Sequence, residues 1–369
     1  MFNCITKPSL TGFLAFPEYM HMLQDELTHR FDFPASRLQK MTTHGDLLFD
    51  FGDSIDAVDF DGSIDAADSI DSVSGIENGR TPWWAATSFT GASSLSPSPS
   101  IVQFDSIGDA AKALRELCPQ NGKLLPYVNE HTNLFRRTML IQEKLPYINV
   151  KPRNFPLRIT PDMPQLGLYT LLNEHTLLCA PKVSSKLPLG KITFCEDHTE
   201  PPSRAYLKLW EALTVMETAG CALPQAGEKC FDAGGSPGGW TWALLKLGCT
   251  VTCCDRAPLA PSLTENPEYA ARLTFIKHDA FTLPLSEESA FFDWIFSDVI
   301  CYPERLLAWI KMLISAKMCR RLVCTIKLQG ETDWSVLREF EKIENSFIRH
   351  LGYNKHELTF FWSKNERER

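Results

Sequence analysis

Residues 229–240 read KCFDAGGSPGGW, and how this stretch is read decides the fold. An apolar run ends in Asp232 and Ala233, four glycines and a proline follow, and TWALLKLG after them has helical spacing. A strand that turns through glycine into a helix is the opening unit of an α/β sheet. Glycine there lets the backbone come close to a neighbour or a ligand.

The pattern continues on both sides. A helix over 203–219 precedes the corner. Strands are predicted at 250–255 (TVTCCD), 273–280 (LTFIKHDA), 291–299 (FFDWIFSDV) and 321–328 (RLVCTIKL), with a helix at 303–314 (PERLLAWIKMLI). Apolar strands alternating with helices predict a doubly wound, mostly parallel sheet, which binds ligands beyond the carboxyl ends of its strands. Asp232, Asp255, Asp279 and Asp298 fall at four successive strand ends.

GGSPGG does not fit the GxGxxG register of a dinucleotide fingerprint, and Pro237 and Trp240 are foreign to it. A nicotinamide oxidoreductase is therefore disfavoured. Asp255 suits a ribose diol and Asp279 the amino edge of an adenine. A row of carboxylates repels phosphate but suits a cationic, phosphate-free nucleoside such as S-adenosylmethionine. The plainer reading, that any one of these acids caps a helix or starts a turn, stands beside it.

The preceding half has a different texture. GFLAF (12–16) and DLLFDF (46–51) read as strands, 17–31 as a helix with Pro17 in its first turn, 106–117 as a helix and 167–182 as a hairpin around Asn173-Glu174. No βαβ rhythm recurs, so this half is α+β. The expected division is 1–195 and 196–369. Residues 52–75 repeat a Ser-Ile-Asp unit and bury little, as does the Ser/Pro stretch 88–100. Asp53, Asp59 and Asp61 carry oxygen donors, but the EF-hand spacing and its final Glu are missing.

The formal net charge is −8, of which residues 41–79, with nine Asp, one Glu and no Lys or Arg, hold −10. The remainder is then −8 − (−10) = +2, so RNA is a permitted partner. Twelve cysteines include no CxxC pair, which predicts reduced cytosolic thiols and no metal site. No apolar run is long enough to span a bilayer, and the N-terminus makes a poor signal peptide. A cytoplasmic protein without membrane contact is expected.

DAGGSPGGW, SRAYLKLWEA (203–212), FSDV (296–299), CTIKLQG (324–330) and HELTFF (356–361) together resemble the FtsJ-like RNA ribose 2′-O-methyltransferases. The likeness is greatest to the type that methylates a cytidine of bacterial 23S ribosomal RNA. It implies a Rossmann-like class I methyltransferase domain, S-adenosylmethionine as cofactor and a Lys–Asp–Lys–Glu tetrad at Lys208, Asp298, Lys327 and Glu357. It also implies that Ser203, Asp232, the corner with Gly234, Ser236, Pro237, Gly238 and Gly239, Trp240 packed alongside, Asp255, Asp279 and Asp298 hold the cofactor. FLAFPEYMHMLQDEL resembles the opening of the family's THUMP-like RNA-binding region, from which the acidic 41–79 segment departs.

By that resemblance Lys327 is the base that takes the proton of the ribose hydroxyl. For this it must lose its own proton near neutrality, far below the ordinary lysine value of about 10.4. Lys208 close by is expected to depress it. Asp298 would position the lysines, and Glu357 would hold the hydroxyl or an ammonium. Each residue taken singly also reads as a solvated side chain. Between the two halves, Arg136, Arg137, Lys144, Lys151, Arg153 and Arg158 alternate with Phe135, Tyr147 and Phe155 as a candidate RNA surface. The alternatives are methylation of another RNA, such as transfer RNA or a cap, and a non-catalytic RNA-binding or ribosome-assembly factor that keeps the fold.

Overall fold

The computed structural model describes residues 2–6, 10–50, 81–91, 98–118, 123–128, 133–159, 163, 166–283 and 291–364. The acidic repeat at 52–75, with Asp53, Asp59 and Asp61, lies outside them. The chain forms two compact units, Met1–Lys151 with Asp162–Ile192, and Pro152–Pro161 with Thr193–Arg369. A single division at 195/196 therefore does not describe it, because a ten-residue segment from the first half folds with the second unit. The cause is local. Arg153 and Phe194 form a parallel bridge, the Ile159 N–H donates to Glu217 Oε2 at 3.1 Å, and the Phe155 ring stacks on Trp210 at 5.0 Å and 11°.

The first unit contains β1 (Phe2–Thr6), β2 (Thr11–Ala15), α1 (Met20–Phe31), α2 (Ala35–Lys40), β3 (Thr42–His44), β4 (Leu47–Asp50) and β5 (Ala85–Thr90). It continues through β6 (Ser100–Phe104), α3 (Ile107–Leu117), β7 (Leu124–Pro126), α4 (Phe135–Gln142), β8 (Gly167–Leu171) and β9 (Thr176–Ala180). One sheet runs β3-β4-β2-β5 and the other β1-β6-β9-β8-β7, antiparallel except for β7 beside β8. Ala110, Ala113 and Leu114 of α3 pack with Val102, Phe104, Tyr169 and Leu177, the amphipathic face that a core-facing helix needs. Two expectations change here. Pro17 lies ahead of α1 rather than in its first turn, since Glu18 takes the left-handed φ of 74°. The Ser/Pro stretch is bounded by structure, with Ser88–Thr90 in β5 and Ser100 in β6.

The second unit contains α5 (Tyr206–Thr218), β10 (Lys229–Ala233), α6 (Gly239–Lys246), β11 (Thr250–Asp255), α7 (Pro261–Thr264), β12 (Leu273–Lys277) and β13 (Phe292–Ser297). Then come α8 (Pro303–Ser315), β14 (Cys319–Lys327), α9 (Trp334–Glu341), β15 (Ser346–Arg349) and β16 (Glu357–Ser363). The sheet order is β12-β11-β10-β13-β14-β16-β15. The first five strands are parallel, and β16 is inserted antiparallel between β14 and β15. Central strands are buried along nearly their whole length, as sheets covered on both faces require. The order reverses between β10 and β13, where Ala233 pairs with Ser297. That switch point is where a crevice opens outside the strand ends. It lies between the glycine corner and Asp298.

Candidate active site

The glycine corner is shaped first by the protein's own packing. Asp232 is 1% exposed, and its Oδ2 accepts the Thr241 hydroxyl at 2.6 Å from the first turns of α6. A Cβ at Gly235 would stand 2.5 Å from that same oxygen, so the chain must pass bare above the carboxylate. Gly238 adopts φ 121°, and a Cβ there would stand 2.2 Å from Leu263 Cδ1. Asp232 is thus a buried support and not a free cofactor ligand. Burial, joined by the nearby Asp298 and Asp255, pushes its carboxyl up to about 7 despite the Thr241 hydrogen bond.

Around the corner, other expected residues hold one another in place. Asp255 accepts the backbone N–H of Ser236 at 3.0 Å and of Ala257 at 2.8 Å, and the Ser236 hydroxyl donates to the Pro258 carbonyl at 2.7 Å. Pro237 is exposed. The buried Trp240 donates its indole N–H to the Ala205 carbonyl at 2.9 Å, which pins the start of α5 to the corner. Ser203 sits against Gly239, whose added Cβ would stand 2.5 Å from its Oγ. Asp279 lies two residues beyond β12 and is not a bare acid. It is paired with Arg256, accepts Arg305 at 2.9 Å, and receives the Phe281 N–H at 3.0 Å. Burial acts to raise its carboxyl, and these partners together hold it below its ordinary value. The row of strand-end acids therefore carries less free negative charge than the sequence suggests.

Lys208, Asp298, Lys327 and Glu357 meet in one alternating square. Lys208 Nζ lies 3.1 and 3.2 Å from the two Asp298 oxygens and also pairs with Glu357 Oε1. Lys327 Nζ lies 2.6 Å from Asp298 Oδ1 and 2.5 Å from Glu357 Oε2. Each cation touches both anions. Strand register sets half of this, because Lys327 and Glu357 are direct cross-strand partners at the ends of β14 and β16. Asp298 follows the last residue of the neighbouring β13, and Lys208 comes from the second residue pair of α5. Asp298 and Lys327 keep 22% and 17% of their side-chain surface, against 11% for Lys208 and 8% for Glu357. A reactant reaching the square would meet the first two.

Electrostatics modifies one expectation. Burial favours a neutral Lys327, but Asp298 and Glu357 outweigh it and raise the ammonium above the ordinary lysine value. The lysine is therefore not depressed in this state, since two carboxylates face it at 2.6 and 2.5 Å. Burial acts to raise Asp298, and Lys208 and Lys327 more than offset it, so that carboxyl is held below its ordinary value. Four charges gathered in a shielded place are poor value for stability alone, because desolvation cancels most of the attraction. Perturbed charged groups concentrate at functional sites, and structural ion-pair networks shift them as well.

Three supporting residues escaped the sequence reading. Glu211, 1% exposed, accepts the N–H groups of Gly352 and Tyr353 at 2.9 and 2.8 Å and fixes the turn before β16. Asn354 donates to the Glu357 carbonyl at 3.2 Å and to Thr359 Oγ1 at 3.0 Å. His350 Nε2 bonds the Lys355 carbonyl at 2.9 Å, and burial pushes its pKa down to about 4. An acid inside the apolar helix YLKLWEALTVM was the available signal for Glu211.

The candidate RNA residues divide between the two units. Arg136, Arg137, Lys144 and Lys151 belong to the first unit and Arg153 and Arg158 to the second. Arg137 lies over the Phe104 ring at 5.5 Å, and Phe155 is committed to Trp210, so neither is a free RNA contact. Phe135 and Tyr147 are exposed, as are the other five basic residues. Among the described residues no cluster of His, Cys, Asp and Glu has metal-binding geometry, and no helix is long and apolar enough to cross a membrane.

Residues 201–343 match the FtsJ-like methyltransferase family. The matched stretch runs from just before α5 to just beyond α9 of the second unit. Among curated proteins it is 28% identical over 222 residues to the ribosomal RNA large subunit methyltransferase M of Xylella fastidiosa strain 9a5c, covering 57% of this chain and 61% of that protein. The proteins of the same name from Halorhodospira halophila and Aromatoleum aromaticum are each 33% identical, over 138 and 172 residues. These two alignments cover 37% and 45% of this chain, and 38% and 44% of those proteins. The chain thus spans about three fifths of the first relative it matches.

Proposed function

We propose that this protein transfers a methyl group from S-adenosylmethionine to a ribose 2′-hydroxyl of RNA, with a cytidine of 23S ribosomal RNA as the target. The observation that carries this reading is the square of Lys208, Asp298, Lys327 and Glu357, poised at the switch point of a methyltransferase sheet. The FtsJ-like domain and relatives named for the large ribosomal subunit support the substrate. Methylation of transfer RNA or a cap, and a non-catalytic binding role, have no observation of their own in their favour.

The donor set suits the cofactor. Asp255 closes β11 and, although it accepts two backbone N–H groups, a carboxylate offers about four acceptor sites, so capacity remains for a diol. Gly234 to Gly239 and Ser203 border the same crevice, with Trp240 as packing beneath. The cofactor supplies an activated methyl carbon on a positive sulfur. This chain's residues then hold the hydroxyl in line and take its proton. Lys327 is the base once it has released its own proton to solvent, and Glu357 fixes the ammonium that it forms again on taking the hydroxyl proton, or the hydroxyl itself. Asp298 balances the lysines, and positive charge beside it weakens the field that keeps Lys327 protonated. Lys208 completes the neutral square. The first unit, α+β and THUMP-like by the resemblance of its opening segment, is the RNA-recognition region. Arg136, Lys144 and Lys151 there, and Arg153 and Arg158 on the second unit, supply phosphate contacts.

The test is transfer of isotopically labelled methyl from S-adenosylmethionine to unmodified 23S ribosomal RNA transcript. Nuclease digestion and mass spectrometry then locate the label. Label on a cytidine ribose is expected. Label on a base, or none, would overturn the reading.

A further inference from the structure

The loop leaving Asp298 has a feature that the square does not use. Val299 to Tyr302 joins β13 to α8, and two of its side chains stand in solvent, Ile300 at 80% and Tyr302 at 64% exposure. They are the most exposed large apolar side chains described in the second unit. Between them Cys301 is 8% exposed, so the loop alternates out, in, out and its two outward groups share a side. Extended geometry explains this, since Tyr302 takes φ −66° and ψ 145° before Pro303 starts α8. Among the described residues Tyr302 makes no ring–ring contact. Ile300 and Tyr302 thus present apolar surface together, within four residues of Asp298.

We propose that Tyr302, with Ile300 beside it, is the platform on which a base of the substrate RNA stacks, and so sets how the ribose reaches the square. The inference rests on the function proposed above. Tyr302 is four residues from Asp298, so their Cα atoms are at most about 14 Å apart. A target nucleotide or its neighbour lies within that reach of its own 2′-hydroxyl. An aromatic face is sequence-tolerant and recognises unstacked bases, which suits a nucleotide displayed out of a helix. Exposed donors stand near the same helix start. The Arg305 N–H bonds the Tyr302 carbonyl at 3.1 Å, and Arg305 and Arg256, 47% and 73% exposed, share the single carboxylate of Asp279. The exposed Glu304 of the same turn balances the local charge together with Asp279, and the two exposed guanidinium groups remain donors for the phosphates on either side of a stacked base.

The experiment compares Tyr302→Ala and Tyr302→Phe in the full chain, with labelled S-adenosylmethionine and unmodified 23S ribosomal RNA transcript. For Tyr302→Ala the KM for RNA rises by about 5- to 150-fold, the loss that removing one base–aromatic stack gives. Calorimetry shows S-adenosylmethionine binding unchanged, and Tyr302→Phe, which keeps the ring face, restores the KM. Wild-type KM in Tyr302→Ala overturns the platform, as does equal impairment of the Ala and Phe variants. A wild-type protein that transfers no methyl instead removes the function on which the platform rests.

Discussion

Asp232 shows how one carboxyl beneath the glycine corner links the fold to pH. Burial lifts its pKa to about 7, above the ordinary aspartate value of about 3.9, so between these values the folded protein keeps a proton that the unfolded chain has released. Stability must then fall as pH rises through that window, because the folded state binds more protons there. Asp232→Asn keeps an acceptor for the Thr241 hydroxyl and removes the buried charge. Its unfolding free energy should match wild type near pH 4 and exceed it at pH 8 by an amount on the order of 3 kcal/mol, with a higher melting temperature at pH 8. Calorimetric melting across that range checks this, and a pH-independent difference would show that Asp232 is not proton-linked. Asp298 runs in the opposite sense. Its lowered pKa contributes stability above the unfolded value that is lost as pH falls through the folded one. From sequence these two strand-end aspartates look alike. What separates them is neighbours from remote segments, a threonine for one and two lysines for the other.

At the scale of elements, β16 carries Glu357 and the last antiparallel pairing, and its approach is fixed by α5 through Glu211. Removing that carboxylate leaves two N–H groups of the 352–353 turn without their acceptor. Glu211→Ala should therefore lower stability by about 2–4 kcal/mol. It should also reduce kcat more than cofactor affinity, because the turn positions Glu357 and not the glycine corner. Urea unfolding together with methyl-transfer kinetics and calorimetry checks both, and wild-type stability would refute the role. The central strands β10, β13 and β14 were legible because burial on both faces leaves continuous apolar runs. Short β15, α7 and α9 were not, since their formation depends on partners elsewhere. In the first unit β5 and β6 were obscured by Ser and Thr at their ends, where pairing overrides composition.

Across the second unit, four residues from positions 208, 298, 327 and 357 meet because sheet order, strand register and helix docking bring their carriers together. The identities of the four were readable from motif neighbours in the sequence, and so was the doubly wound sheet that assembles them. Their alternation of charge was not. It depends on which oxygen faces which nitrogen, and it reverses the expectation that Lys208 depresses Lys327. The boundary between units was also hidden, because Phe155 finds Trp210 across some fifty intervening residues, a contact no local pattern announces. The central claim is that the square performs the proton removal and does not merely hold the fold. Lys327→Ala tests it most directly, by calorimetry with S-adenosylmethionine and by labelled methyl transfer to 23S ribosomal RNA transcript on the same preparation. The account predicts cofactor binding within about threefold of wild type and transfer reduced by a factor of about 10² to 10⁴, the range for loss of a general base. Transfer at the wild-type rate would contradict it.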